Sequence, residues 1–209
     1  MNLYSASFFG ALTVLGAIVL STSCSRMQDY AGAWQGLPVR LEGVSGASDA
    51  SSVVTIDFAP SDSKNGSGDV MLLATVDVSQ AVESGSPFVA DQAYQVDVAA
   101  TASISGRYVP EDDAYDDVLL LSLDASTLKV NIDQAGVTFS QNVLTGLQQP
   151  ALDSLTAQTV EAWRVRVTSA IREEFSKYQK IEDVKVHHAD MMSCEIADRD
   201  YTFRRIAIR

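Results

Sequence analysis

The densest group of charged side chains lies between residues 111 and 117, and its chemistry would be cation binding. The group consists of Glu111, Asp112, Asp113, Asp116 and Asp117. Calcium takes about six to eight oxygen ligands, which carboxylates supply well, but the central glycine and final glutamate of an EF-hand loop are missing here. We interpret the group as a solvated hairpin tip and predict no metal site. A calcium site at Asp112, Asp113, Asp116 and Asp117 is the alternative.

A second set of residues with metal chemistry lies near the C-terminus. It contains the two histidines of the chain, His187 and His188, and Cys194. Adjacent side chains on a strand point to opposite faces, so the two histidines cannot bind one metal ion together. A zinc site would need one histidine with carboxylates or Cys194, united by a turn at Asp190. We predict no such site and interpret Cys194 as a small buried apolar side chain.

Common catalytic motifs do not occur in the sequence. It has no Gly-x-Ser-x-Gly elbow, Walker loop, Cys-x-x-Cys or His-Glu-x-x-His. A Ser/His/Asp site is assembled from distant segments, so an envelope hydrolase stays open as a minority interpretation. We expect a protein that is not an enzyme and has no cofactor.

Cys24 is a residue with different chemistry, because it follows a segment that has the features of a signal peptide. Residues 1–23 carry no charged side chain, and Phe8 to Leu20 is a 13-residue apolar run. Signal peptides have an apolar core of about 7–15 residues, whereas a bilayer-spanning helix needs about 20. The small residues Ser21-Thr22-Ser23 before Cys24 resemble the lipobox of bacterial lipoproteins, although the usual leucine position holds Ser21. An ordinary cleaved signal and an uncleaved anchor helix are the alternatives.

The lipobox resemblance implies a membrane anchor and an address. In that family the cysteine is acylated and becomes the new N-terminus, so residues 24–30 would form a lipidated tether before one domain at 31–209. Ser25, which is not an aspartate, points to the outer membrane. The absence of an acidic run in Ser25-Arg26-Met27-Gln28 favours the periplasmic face over the cell surface. An acylated Cys24 would leave Cys194 without a disulfide partner in the chain.

The composition limits the partners of this domain. The chain carries a formal net charge of −12, with a sequence pI of about 4.4. Nucleic acids and anionic lipid surfaces attract basic proteins, so we expect neither as a partner. The stability of the domain must come from its hydrophobic core, because no disulfide framework is available.

Alternation of apolar and polar residues predicts a mainly β domain of about eight to ten antiparallel strands, closed as a barrel or packed as a sandwich. Examples are Val54-Thr55-Ile56-Asp57-Phe58 and the segments 70–78, 94–98, 102–109, 118–123, 128–132 and 137–139. Alternation returns after Lys180 and continues through Met192, Cys194 and Ile196 to the C-terminal strand. The chain therefore begins and ends in β structure.

One long helix interrupts this pattern at about residues 154–179. Apolar residues recur there at steps of three or four and form one stripe, which consists of Val160, Trp163, Val167, Ile171, Phe175 and Tyr178. Asp153 or Ser154 is the predicted N-cap, and Glu173 and Lys177 are a predicted ion pair. Arg166 is assigned to the polar side. We expect the stripe to pack on the sheet of the same chain; a docking surface for a partner is the alternative.

Two short motifs resemble the lipocalin-like lipoproteins of the Bacteroides group. Gly32-Ala33-Trp34 precedes the first strand, and Gly106-Arg107-Tyr108 repeats the Gly-x-aromatic spacing. In those proteins the tryptophan closes the bottom of a β-barrel. The resemblance implies a barrel or sandwich in which Trp34, like Trp163 of the helix, marks the core.

These observations predict an envelope-anchored lipoprotein that acts as a non-enzymatic binding module for a small apolar ligand or a protein partner. The alternative is a structural or assembly component of an outer-membrane or periplasmic complex. An open apolar cavity would favour the first function, and an exposed apolar helix face or flat patch would favour the second.

Overall fold

The computed structural model describes residues 30–62, 64–83, 93–112, 117–188 and 190–207, without the side chain of Asp112. Residues 1–23 and Cys24 lie outside this part. The strands are β1 (Gly32–Gly36), β2 (Val39–Arg40), β3 (Asp49–Phe58), β4 (Gly68–Val82), β5 (Tyr94–Asp112), β6 (Asp117–Leu123), β7 (Lys129–Asn131), β8 (Val137–Phe139), β9 (Lys180–His187), β10 (Met191–Ile196) and β11 (Arg199–Ile206). The helices are α1 (Gln141–Gly146) and α2 (Gln149–Ser176), and 3₁₀ turns occur at Ala125–Thr127, Gln134–Gly136 and Lys177–Gln179.

Eight of these strands close into an antiparallel barrel. The barrel strands are hydrogen-bonded in the order β1, β3, β4, β5, β6, β9, β10 and β11. The pairing of β11 with β1 closes the barrel. The short strand β2 extends the sheet beside β3, while β7 and β8 pair with β5. The predicted mainly β fold is confirmed, and the barrel is the one of the two predicted architectures that forms.

The hairpin of β4 and β5 is the largest element of the barrel. Its register runs without a break from the pair Gly68↔Tyr108 to the pair Val82↔Tyr94. The prediction of separate strands at 94–98 and 102–109 was therefore wrong, because β5 is continuous over 19 residues. Its first half pairs with β8 and β7, and its second half pairs with β6 on the same edge.

Helix α2 packs against the barrel on the side of strands β5, β7 and β8. The neighbouring pairing of β6 with β9 is the shortest in the barrel and consists of Leu119↔Ile181 and Leu120↔Lys180. The apolar side chains of α2 join the single hydrophobic core of the described barrel. The predicted packing of the stripe on the sheet is confirmed, since Trp163 is 2% exposed and Val167 and Ile171 are 0% exposed.

The start of α2 differs from the prediction. The helix begins at Gln149, with Gln148 at the N-cap position and a proline in the first turn. Proline suits this place because its missing N–H would have no partner inside the helix. Asp153 is therefore not the cap but accepts a hydrogen bond from Gln149 Nε2 at 2.7 Å. Of the described helices, none is both long enough and apolar enough to cross a bilayer.

Candidate functional site

Trp34 closes the end of the barrel at which β3 turns into β4. Its side chain is fully buried, and its indole N–H donates a hydrogen bond of 2.8 Å to the carbonyl oxygen of Tyr30. The guanidinium of Arg205, on β11, lies 4.5 Å from the centre of the Trp34 ring. Such a cation–π contact stabilises the ring and links the first strand to the last. We call this region the closed end.

A second aromatic side chain reaches the closed end from β5. Tyr108 packs edge-on against Phe58, with ring centres 5.1 Å apart. Its hydroxyl donates to the carbonyl oxygen of Ala59 at 3.1 Å. The two Gly-x-aromatic motifs therefore deliver their aromatic side chains to the same end of the barrel. The arrangement is structural, because these contacts satisfy the polar atoms of Trp34 and Tyr108 internally.

The opposite end of the barrel carries a cleft of about 290 Å³, which we call the helix-side cleft. One wall of the cleft consists of inward-facing residues where β4 ends and β5 begins. The N-terminal half of α2 forms the other wall. The lining residues are Gln80, Val82, Tyr94, Val96, Phe139, Leu155, Gln158, Thr159, Ala162, Trp163 and Arg166. An eight-stranded barrel has room for side chains or for one small ligand. Side chains of the strands and of α2 form one buried core, and the cleft lies beside it.

Aromatic and polar groups divide the surface of the helix-side cleft. The rings of Tyr94 and Phe139 are 6.4 Å apart, and Trp163 faces them from the helix. The guanidinium of Arg166 lies 4.8 Å from the centre of the Trp163 ring. This contradicts the assignment of Arg166 to the polar side of α2: it is half-buried, because the i,i+3 spacing stacks it on Trp163. The cleft therefore combines an apolar wall with a fixed positive charge.

A buried carboxylate marks the C-terminal half of α2. Glu174 is 2% exposed and accepts a hydrogen bond of 2.6 Å from Lys177 Nζ. Lys177 therefore pairs with Glu174 and not, as predicted, with Glu173. Burial alone would lower the pKa of Lys177, but its bond and ion pair with Glu174 raise the pKa above its ordinary value. The pair joins the last turn of α2 to the 3₁₀ turn that follows it.

Two buried proton-carrying groups lie close by: Tyr178 is beside Glu174, and Cys194 is beside Tyr178. Burial raises the pKa of Tyr178, and the charge of Glu174 adds to the shift. Burial, and then the charge of Asp183, raises the pKa of Cys194 to about 12. Nucleophilic cysteines need a lowered pKa. Cys194 is therefore an un-ionised thiol at neutral pH, and it is buried, as the sequence predicted.

The two histidines occupy different backbone environments. His187 ends β9, and His188 follows in a turn with a φ of 52°. The Nε2 atom of His187 lies 2.9 Å from Ser193 Oγ on the neighbouring strand. A serine hydrolase also needs a carboxylate on the other ring nitrogen, and none of the described residues provides one to His187. In the described part of the chain this contact is a cross-strand hydrogen bond.

The acidic group lies mostly outside the described residues. Asp113 and Asp116 belong to the part that is left out, as does the side chain of Asp112. Asp117 is the first residue of β6 and pairs with Asp112 in the backbone register. Among the described residues, no group of three or more histidine, cysteine, aspartate or glutamate side chains could hold a metal ion.

A broader groove of about 600 Å³ lies outside the barrel, and we call it the outer groove. Outward-facing residues of β3 to β6 form its floor, including Met71 and Ser105. Its cation, Arg107, is already bound to Asp62 at 2.8 Å and to Asp69 at 3.0 Å. Asp57 and Asp124 also line it. The cation of the outer groove is therefore already paired with carboxylates, whereas no ion pair with a described residue is seen for Arg166 in the helix-side cleft.

No family model matches the sequence, and no curated protein is significantly similar to it.

Sequence reasoning missed the residues that form the helix-side cleft. Tyr94 and Phe139 were recognised as strand residues, but nothing in their spacing tells that the two strands lie side by side. One signal was present: Arg166 follows Trp163 by three residues, which places both on neighbouring faces of a helix. Glu174 was also visible, because it continues the spacing of the apolar stripe after Ile171.

Proposed function

We propose that this chain is an envelope-anchored lipoprotein whose barrel binds a small apolar ligand in the helix-side cleft and catalyses no reaction. The observation that carries the proposal is the composition of that cleft. Ligand sites are typically concave and apolar, with a few polar groups that orient the ligand. The half-buried Tyr94 and the more deeply buried Phe139 and Trp163 form the apolar side of the cleft, while Arg166 would orient the ligand. The volume of about 290 Å³ suits a small molecule.

The ligand part of the proposal is tested by filling the cleft. Ala162 lines it from an exposed position on α2, so Ala162→Phe should block binding without disturbing the core. Ala157→Phe is the matched control, because Ala157 is exposed on the same helix and does not line the cleft. A neutral naphthalene alcohol should bind the control and the unmodified protein alike, and Ala162→Phe about tenfold more weakly or not at all. Equal binding by all three proteins would refute the site.

The anchor part of the proposal depends on Cys24 and is tested separately. Acyl chains add about 0.8 kcal/mol of membrane affinity for each buried CH₂ group, so several chains hold a protein almost permanently. Cys24→Ser should therefore release the protein into the soluble envelope fraction and abolish labelling by a fatty-acid analogue. Cys194→Ser is the control and should stay membrane-bound. Membrane retention of Cys24→Ser would indicate an uncleaved helix instead.

The outer groove favours a second function, as an assembly component of an outer-membrane or periplasmic complex. Asp57, Asp69 and Asp124 surround the exposed side chain of Met71. This charge suits an extended segment of another envelope protein that carries lysine or arginine. A photo-cross-linker at Met71 should then capture one protein in a salt-sensitive manner, whereas a cross-linker at the exposed Leu144 should not. No difference between the two positions would remove this function.

A further inference from the structure

The helix-side cleft contains one fixed positive charge on a strongly acidic protein. The guanidinium of Arg166 stacks on Trp163, and no described carboxylate forms an ion pair with it. The net charge of the chain is −12, and Arg166 is the cation that lines this cleft. Its Nη1 atom lies against Gly46 in the loop before β3, since a Cβ atom built at Gly46 would come within 2.9 Å of it. The other N–H donors in the guanidinium plane can bind a ligand.

The donors around Arg166 define what it can bind. A guanidinium edge donates two parallel hydrogen bonds to a planar carboxylate, and these are stronger than hydrogen bonds between neutral groups. The amide of Gln80, at the end of β4, lines the same cleft. The hydroxyl of Thr159 already donates to the carbonyl oxygen of Leu155 at 2.8 Å. One cation with one neutral amide beside it matches a single negative charge better than a phosphate dianion.

The apolar wall defines the rest of the ligand. Tyr94, Phe139 and Trp163 line the cleft. Tyr94 is half-buried, while Phe139 and Trp163 are 8% and 2% exposed and offer little ring surface to a ligand. Flat rings pack well between aromatic side chains, in offset or edge-to-face arrangements. A volume of about 290 Å³ lies at the small end of ligand pockets and admits one or two fused rings.

We propose that the ligand of the helix-side cleft is a small aromatic monocarboxylate, with its ring against Tyr94, beside Phe139 and Trp163, and its carboxylate on Arg166. This inference rests on the proposed binding function and adds the chemical class of the ligand. It assigns Arg166 the role of selecting for negative charge. The aromatic rings supply the part of the affinity that a neutral compound would share.

The inference is tested by titration calorimetry of the purified full chain with three naphthalene compounds of similar size. The probes are 1-naphthoate, 1-naphthalenemethanol and 1-naphthylmethylamine, which are negative, neutral and positive at pH 7. We expect 1-naphthoate to bind about tenfold more tightly than the alcohol, and the amine to bind most weakly. Arg166→Gln should remove the preference for the acid over the alcohol, while its thermal melt stays close to that of the unmodified protein. Arg172→Gln is the matched control, because Arg172 is exposed on the same helix, and it should behave as the unmodified protein.

Every other outcome contradicts either the ligand class or the small-ligand function. If the alcohol binds as tightly as the acid, or if Arg166→Gln keeps the preference for the acid, the ligand class is wrong and the binding function stands. If none of the three compounds binds the unmodified protein, the small-ligand function itself fails. A thermal melt close to that of the unmodified protein shows that Arg166→Gln is folded, so a lost preference for the acid over the alcohol reports the charge.

Discussion

Gly32 and Gly106 each stand two residues before a buried aromatic side chain, and the structure gives a different reason for each. Gly32 has a φ of 115°, which side chains rarely adopt. A Cβ atom at Gly106 would lie 2.3 Å from the backbone oxygen of Ser122 on β6. The repeated Gly-x-aromatic spacing was visible in the sequence. The reason for each glycine was not, because it depends on a neighbouring strand or on a backbone angle.

Gly106→Ala should therefore destabilise the protein strongly, because its methyl group would meet backbone and not a movable side chain. Overpacking of this kind costs about 1–3 kcal/mol and sometimes more. Gly146→Ala is the control: nothing lies within 4 Å of a Cβ atom there, and Gly146 ends helix α1. The control should be neutral or stabilising by up to about 1 kcal/mol. Urea unfolding of both variants measures the difference, and equal midpoints would contradict this explanation.

At the scale of elements, α2 shows what a helical pattern can and cannot predict. Its apolar stripe was readable because packing against a core requires that spacing, and all six stripe residues are buried. Its first residue was not, since proline in the first turn moved the start to Gln149. The location of Arg166, which we propose binds the ligand, was also missed. Whether Arg166 reaches solvent or a cleft depends on where the β4–β5 hairpin ends, which α2 does not encode.

The packing of α2 leads to a matched pair of substitutions. Val167 is 0% exposed and Val165 is 73% exposed on the same helix. Val167→Asp would bury a carboxylate without a partner, which costs several kcal/mol, so the domain should unfold or lose most of its stability. Val165→Asp should melt within a few degrees of the unmodified protein. Thermal melting followed by circular dichroism distinguishes the two, and a normal melt for Val167→Asp would mean that the stripe is not the core contact.

At the scale of the whole molecule, the antiparallel β fold could be predicted from the sequence, but the choice between a barrel and a sandwich could not. Alternation indicated antiparallel strands, and the count of about eight to ten was close to the eight that form the barrel. Closure depends on the pairing of β1 with both β3 and β11. That pairing joins the two ends of the domain, and no local pattern records it. The short pairing of β6 with β9 also joins residues that are far apart in the sequence.

The barrel interior also sets how stability depends on pH. Burial raises the pKa values of Cys194, Tyr30 and Tyr178 above their ordinary values of 9.0 for cysteine and 10.0 for tyrosine. Above pH 9 the unfolded chain loses these protons while the folded protein keeps them. The unfolded state then binds fewer protons, so the free energy of unfolding falls as pH rises from about 9 to about 12.

Urea midpoints at pH 8, 9.5 and 11 measure this effect and should decrease in that order. Cys194→Ala should lower the midpoint at pH 8, because it leaves a small cavity, and should also flatten the first part of the decrease. A midpoint that stays constant up to pH 11 would show that these groups are not protected by the barrel.

The central claim is that the helix-side cleft, beside α2, is where a small ligand binds. The two indole N–H groups of the protein, on Trp34 and Trp163, allow a direct measurement by two-dimensional ¹H–¹⁵N NMR during titration with 1-naphthalenemethanol. We predict that the Trp163 indole signal and the backbone amides of Tyr94 and Phe139 shift with one saturable dependence, while the Trp34 signal stays in place. Shifts confined to Met71 and Ser105 in the outer groove, or no saturable shift at Trp163, would contradict the account.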